Sequence, residues 1–287
     1  MNKLISIFKL LRPQQWYKNL VIFAALFFTG EFFYLGELRL TLLGFISLCL
    51  ISSTNYIIND IIDCKEDKRH PEKKKRPIAS GEIKIWLAII IAIFTFSIAL
   101  INAFFLTEGF FYVIILLFAL TQAYSIFLRN EPFLDVILIG VNFVLRAVSG
   151  TFIINTEISP WLIICAFFFA LFLGFGKRKA DLQILGAKAK EHKKVYKTYT
   201  NELLNSIINS LIAIIITTYS LYTFFKEGHE LIFTLPVVVY ALLRYLQLIG
   251  SGSAIARHPE QAFKDIRLIL SMLIWGSIVF LFIYVIK

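Results

Sequence analysis

Apolar runs long enough to cross a bilayer recur along almost the whole chain. They fall at about 19–35, 38–60, 83–106, 109–128, 132–155, 158–176, 203–225, 230–250 and 266–286. Each is close to the roughly 20 residues that a helix needs to span a hydrocarbon core. Lipid offers no partner for a backbone N–H or C=O, so such runs must close their hydrogen bonds internally as helices. The pattern predicts an all-α fold, a multi-pass membrane helical bundle of about nine transmembrane helices. Ahead of the first run, Ile5, Phe8 and Leu11 recur at helical spacing. They predict either a short interfacial helix lying on the membrane or an untethered first turn. The same stretch lacks the clean apolar core and small-residue cleavage site of a signal peptide. No repeat, low-complexity tract or Pro/Gly/Ser linker interrupts the chain, so residues 1–287 read as a single integral-membrane domain.

Composition removes the soluble alternative. Hydrophobic residues make up 58% of the 287 and charged residues only 17%, against about a quarter charged in soluble domains. Three cysteines, Cys49, Cys64 and Cys165, show no CxxC spacing and suggest no metal or redox centre. The net charge of +10 reads mainly as a topology signal and not as a nucleic-acid surface. With a cytoplasmic N-terminus, one side collects Lys3 to Lys18, Lys65 to Arg76, Arg129, Lys177 to Lys197 and Arg257 to Arg267. The other keeps Glu31, Glu37, Glu108, Glu157, Glu227 and Glu230 against only Arg39, Lys226 and Lys287. That bias follows the positive-inside rule and predicts a cell-membrane protein with its basic loops in the cytoplasm. Two connections, about 61–82 and 176–202, are long and dense in lysine and arginine, the usual seat of function.

The first of these opens with Asn59-Asp60-Ile61-Ile62-Asp63-Cys64-Lys65-Glu66-Asp67. Asp60, Asp63 and Asp67 stand at i, i+3 and i+7, on one side of a helix where a span meets water. A solvated helix end would simply pair these carboxylates with Lys65, Lys68 and Arg69. Asn55 and Asn59 argue otherwise, because with Asp63 and Asp67 they extend the polar stripe back into apolar sequence, where such groups are costly unless they line a site. Carboxylates gathered there suit a hard divalent cation, and a cation ringed by basic residues suits phosphate. The residues alone predict an intramembrane Mg²⁺-dependent enzyme acting on a phosphorylated lipid. Two charges lie inside apolar sequence. Arg146 predicts either contact with a lipid or substrate phosphate, or a pair with Asp135 or another buried acid. Arg244 reads as a snorkelling side chain.

NDIIDCKED resembles the NDxxDxxxD signature of the UbiA-type intramembrane prenyltransferase superfamily, and nine spans agree with that fold. RPQQWYKN at Arg12 to Asn19, DKRHPEKKKRPIASG at Asp67 to Gly81, YSIFLR at Tyr124 to Arg129 and GKRKADL at Gly176 to Leu182 are more narrowly similar to its decaprenyl-phosphate phosphoribosyltransferase branch. The resemblance runs from residue 12 to about 182. Aromatic prenyltransferases of the superfamily carry a second aspartate-rich motif in the later loop. Here that place reads Lys177-Arg178-Lys179-Ala180-Asp181, an anion pocket more than a second metal position.

The resemblance implies transfer of a 5-phosphoribosyl group from phosphoribosyl pyrophosphate (PRPP) to a polyprenyl phosphate, releasing pyrophosphate. It implies a metal site of Asn59, Asp60, Asp63 and Asp67 holding Mg²⁺ on the diphosphate. Lys177 and Arg178 are the candidates for the 5-phosphate, with Arg69, Arg76 and Tyr124 as further substrate contacts. Lys18 is placed near the lipid phosphate, and Asp181 either orients a lysine or touches the ribose hydroxyls. The alternative in the same fold is prenylation of a quinone or haem precursor from a prenyl diphosphate. A lipid or anion transporter is the reading from another class, and no broken-helix pair supports it. Chain length of the lipid and oligomeric state are not readable from the residues.

Overall fold

The computed structural model describes residues 3–186, 194–225 and 229–286, without the side chains of Leu185 and Lys194. Of the predicted features, the middle of the second basic connection (187–193) and Lys226, Glu227 and Lys287 lie outside the described residues. Among the described residues every regular element is helical and eight helices are long and apolar enough to cross a membrane. This is an integral membrane protein. The chain divides into two compact units, Met1–Ile126 with Leu145–Ile158, and Phe127–Val144 with Ser159–Lys287.

In the first unit, α1 (Lys3–Leu11) runs into a 3₁₀ stretch, Pro13–Ile22, and a short helix α2, Phe23–Phe28. The predicted first span at 19–35 is therefore not one continuous helix, and the long spans number eight where nine were expected. The cause lies in its side chains. Trp16 donates to the Ser53 hydroxyl at 3.0 Å and Asn19 to that of Ser52 at 3.4 Å. Those bonds hold the stretch in the tighter winding, which is seldom sustained for ten residues without outside support. Ile5 and Phe8 on α1 are exposed as the interfacial reading expects, while Leu10 is fully buried.

The stretch packs on α3 (Leu35–Ile62), which also meets α5 (Ile85–Leu106) and α6 (Glu108–Ala123). A four-residue helix α4, Cys64–Asp67, follows α3 after a break at Asp63. The α3–α6 core includes Leu48, Ile51, Phe110 and Ile114. It closes around glycines, as expected where lipid tails compete equally for apolar side chains and close backbone approach decides packing. A Cβ at Gly150 would overlap the Ile22 carbonyl oxygen, a backbone atom with nowhere to retreat. Gly150→Ala is expected to cost about 1–3 kcal/mol, read as a lower melting temperature of the detergent-solubilised protein. An unchanged melting point would mean that this contact is loose.

α7 (Leu134–Ile153) starts in the second unit and ends in the first. The second unit continues with α8 (Pro160–Leu185), α9 (Asn201–Phe225), α10 (Leu235–Gly250), the single turn α11 (Ala254–Arg257) and α12 (Ile266–Phe280). Its core joins Phe172, Phe175, Leu204, Ile208 and Ile249. The helix α8 runs on to Leu185, about nine residues past the end expected for its span. Lys177, Arg178 and Asp181 accordingly sit on helix, not in a loop. Arg244 does not snorkel unpaired: its guanidinium donates to Asp265 at 2.6 Å and to Gln247 at 2.6 Å.

Candidate active site

The first unit collects its polar side chains around the end of α3. One stripe of that helix, Cys49, Ser52, Ser53, Tyr56 and Asp60, faces the N-terminal segment, as the 3.6-residue period requires. Arg12 lies over the Tyr56 ring at 4.9 Å and donates to Asp60 Oδ1 at 2.5 Å. Its backbone is left-handed, at φ 53° and ψ 55°. That conformation costs a non-glycine residue about 1–2 kcal/mol, and Pro13 behind it already disfavours a right-handed turn. The distortion turns the chain between α1 and the 3₁₀ stretch at the residue whose side chain meets the acidic motif.

Arg76 approaches Asp60 from the other connection. One of its terminal nitrogens donates to Asp60 Oδ1 at 3.0 Å and to Asp67 Oδ2 at 2.6 Å. Lys73 stands 3.9 Å from the remaining Asp67 oxygen. Both carboxylates are almost wholly buried, with side chains 2% exposed. The break at Asp63 makes this possible, because it starts a new helix and swings Asp67 towards Arg76.

This geometry corrects the expectation that three aspartates converge on one metal. Among the described residues no three His, Cys, Asp or Glu side chains gather closely enough to hold an ion by themselves, because Arg76 stands between Asp60 and Asp67. Asp63 ends α3 as its half-buried C-cap residue. Even so, Asp60 Oδ2 and Asn59 Oδ1 are buried acceptors with no hydrogen-bond partner among the described residues. Two hard oxygens of this kind, on consecutive residues, are costly unless a cation or donor meets them. They fit Mg²⁺, which is usually held by one or two carboxylates and completed by substrate phosphates.

Deeper in the same unit, Asn55 accepts from Gln122 at 2.6 Å and Arg146 donates its Nε–H to Asn19 at 2.9 Å. Arg146 and Asp135 do not pair, because they lie eleven residues apart on α7, about 16 Å along the helix. Lys18 lies 5.8 Å from the Tyr17 ring centre, Tyr124 opens a π-helical turn at the end of α6, and Arg69 is exposed in the turn after α4.

The second unit has its own polar centre at the end of α8. Arg178, 5% exposed at its side chain, donates Nε–H and Nη2–H to one oxygen of the fully buried Asp135, at 2.9 and 2.6 Å. Tyr199 donates its hydroxyl to the other Asp135 oxygen at 2.8 Å and accepts from the Phe133 N–H at 2.7 Å. One turn along α8, Asp181 accepts from Tyr196 at 2.6 Å and from Arg257 at 2.8 Å. Asp181 thus orients an arginine and not the lysine considered from sequence. Burial raises both tyrosine pKa values above the ordinary range, and their carboxylate partners add to this. The hydroxyls remain protonated donors at every pH the bilayer meets. Lys177 sits half-buried one residue before Arg178.

Sequence reasoning gave no role to Arg12, Trp16, Asn19, Gln122, Tyr196, Tyr199 or Arg257. A signal existed for three of them: Arg12, Trp16 and Asn19 repeat at i, i+4 and i+7 along the edge of an apolar run, just as the asparagine stripe does. The others lie far along the chain from their partners and carry no local signature.

Comparison with known proteins decides the family. The sequence pattern of the UbiA prenyltransferase family matches residues 20–285. The chain belongs to that family. Among UbiA-family relatives, the decaprenyl-phosphate phosphoribosyltransferase of Mycolicibacterium smegmatis is 30% identical over 96% of this chain and 91% of its own length. That of Corynebacterium glutamicum is 27% identical over 96% and 86%. A UbiA homologue from Archaeoglobus fulgidus, solved with GPP and Mg²⁺, superposes with a TM-score of 0.72 at 24% identity, covering 97% of this chain and 96% of that one. Digeranylgeranylglyceryl phosphate synthase has the same fold, at a TM-score of 0.68 and 16% identity over 97% and 99%.

Proposed function

We propose that this UbiA-family protein transfers the 5-phosphoribosyl group of PRPP to a polyprenyl phosphate and releases pyrophosphate, using Mg²⁺. The observation that carries the reading is the end of α8. There the chain offers Lys177, Arg178 and Lys179 and a single acid, Asp181, already engaged by Arg257 and Tyr196. A second metal-binding acidic pair is missing from that place, and cations stand in it. An acceptor or donor with a phosphate beyond the metal-bound diphosphate accounts for the exchange, and PRPP has one at C5. The relatives named for this reaction, matched along nearly the whole chain, support it.

In this reading Asn59 and Asp60 hold the metal, with Asp63 and Asp67 beside them. When bound, Mg²⁺ neutralises the diphosphate and makes pyrophosphate a better leaving group. Arg12 and Arg76 hold Asp60 and Asp67 in place and set fixed N–H donors where negative charge accumulates. The C1–O bond to pyrophosphate breaks as a phosphate oxygen of the lipid bonds to C1. That phosphate is anionic at neutral pH, so no side chain has to remove a proton. Arg178 serves as a positioning residue through Asp135, and Lys177 is assigned to the 5-phosphate. Lys18, Arg69, Tyr124 and Arg146 remain candidate contacts for the two substrates. The N-terminus and both basic connections are placed in the cytoplasm, at the cell membrane.

The test is turnover of purified protein with Mg²⁺, labelled PRPP and a polyprenyl phosphate, expected to move label into the organic phase. Turnover of a prenyl diphosphate with an aromatic acid, and none of PRPP, would overturn the reading. Lys177→Ala is expected to raise KM for PRPP about tenfold, the worth of one charge-assisted hydrogen bond, with KM for the lipid little changed. An unaltered PRPP dependence would return Lys177 to a topology anchor.

A further inference from the structure

Within the second unit, a mostly apolar groove of about 370 Å³ lies between α10 and α12, lined by Pro236, Val237, Tyr240, Leu270, Ser271 and Ile274, with Arg267 at one end. Arg267 is the second residue of the span Ile266–Val285, so it sits at headgroup level. Ile274 lies about 10 Å deeper, seven residues along the helix. Charge at the mouth is unbalanced. The nearby acid, Asp265, is fully used: it accepts from Arg244 at 2.6 Å and caps α12 by accepting the Leu268 N–H at 3.0 Å. Arg267 is exposed and, among the described residues, neither its guanidinium nor the Lys264 ammonium beside it has an acidic partner; Lys264 donates to the uncharged Gln261 at 3.2 Å.

We propose that this groove is a binding site for an anionic glycerophospholipid, with the phosphate on Arg267 and an acyl chain along Val237, Leu270 and Ile274. An apolar channel that starts at headgroup depth and carries an uncompensated cation at that end is complementary to an amphiphile with an anionic head. A basic residue near an anionic membrane surface contributes about 1 kcal/mol, which sets the preference over a net-neutral lipid at about fivefold. The groove shares no residue with those assigned to the transfer chemistry, so the proposal does not depend on that reading.

Native mass spectrometry of the delipidated full-length protein, titrated with phosphatidylglycerol or phosphatidylethanolamine of identical acyl chains, tests this. The wild-type protein is expected to retain phosphatidylglycerol about fivefold better. Arg267→Gln should bring the two lipids level and Arg267→Lys should keep most of the difference, both with unchanged melting temperature. Val237→Trp, which fills the groove, should lower retention of both lipids. A phosphatidylglycerol preference that survives Arg267→Gln or Val237→Trp overturns the proposal. So does displacement of the bound lipid by polyprenyl phosphate at its KM, which would give the groove to a substrate.

Discussion

Asp60→Asn is expected to lower turnover by about 10³-fold or more while leaving the protein folded. The substitution preserves shape and leaves an amide oxygen to accept from Arg12 or Arg76, so the cost to the fold is confined to weakened charge-assisted bonds, about 1–3 kcal/mol. Arg12 and Arg76 are partly solvent-exposed at their side chains, 21% and 25%, and water takes up part of what the carboxylate gave. Catalysis has no such reserve. Asp60 Oδ2 is a buried oxygen with no partner among the described residues, and the asparagine places a neutral group there at best. Losing one preorganised electrostatic contact to developing charge commonly removes 10²–10³ in rate, and a lost metal ligand adds to that. Asp67→Asn should fall less far, because both Asp67 oxygens already face Arg76 and Lys73. The measurement is transfer of label from PRPP across a Mg²⁺ titration, alongside the melting temperature. Mn²⁺ binding by the same variants separates metal loss from a defect in chemistry. Near-wild-type turnover in Asp60→Asn would remove the metal assignment altogether.

The helical membrane fold was legible because it rests on a local signal. Apolar runs of membrane length leave the backbone no other way to satisfy itself, and among the described residues eight of the nine expected spans are helical over a membrane-crossing length. The first failed for a reason that residue counting does not register. Trp16 and Asn19 find partners on α3, more than 30 residues away, and the stretch between Pro13 and Ile22 follows them into a tighter winding. The place of the acidic motif at the end of α3 was legible too, since depth in the membrane makes a polar stripe expensive and therefore informative, but the arrangement of its three aspartates was not. Nor were its neutralising partners. Arg12 reaches Asp60 across 48 residues and Arg178 reaches Asp135 across 43. Nothing in the spacing of charges tells a guanidinium that will bind phosphate from one that will bind a distant carboxylate.

That ambiguity makes the pair Asp135–Arg178 the second large expectation. Asp135→Asn should destabilise the protein by about 3–5 kcal/mol, because it leaves a buried guanidinium without its counter-charge. Arg178→Met should cost a similar amount by stranding the carboxylate, with Tyr199 then its remaining donor among the described residues. Replacing both, as Asp135→Leu with Arg178→Met, removes the two desolvated charges together and is expected to recover most of the loss. Recovery should stop about 1–3 kcal/mol short, since the Tyr199 hydroxyl loses its acceptor; adding Tyr199→Phe should close much of that gap. Melting temperatures of the detergent-solubilised variants give the cycle, and PRPP kinetics on the double variant assign the role. If Arg178 acts by holding α8 against α7, the double variant keeps KM for PRPP within a few-fold of wild type, well below the rise expected for Lys177→Ala. If instead the double variant is as stable as predicted but its KM rises tenfold or more, Arg178 touches the phosphate, and the pair with Asp135 is a resting arrangement that substrate displaces.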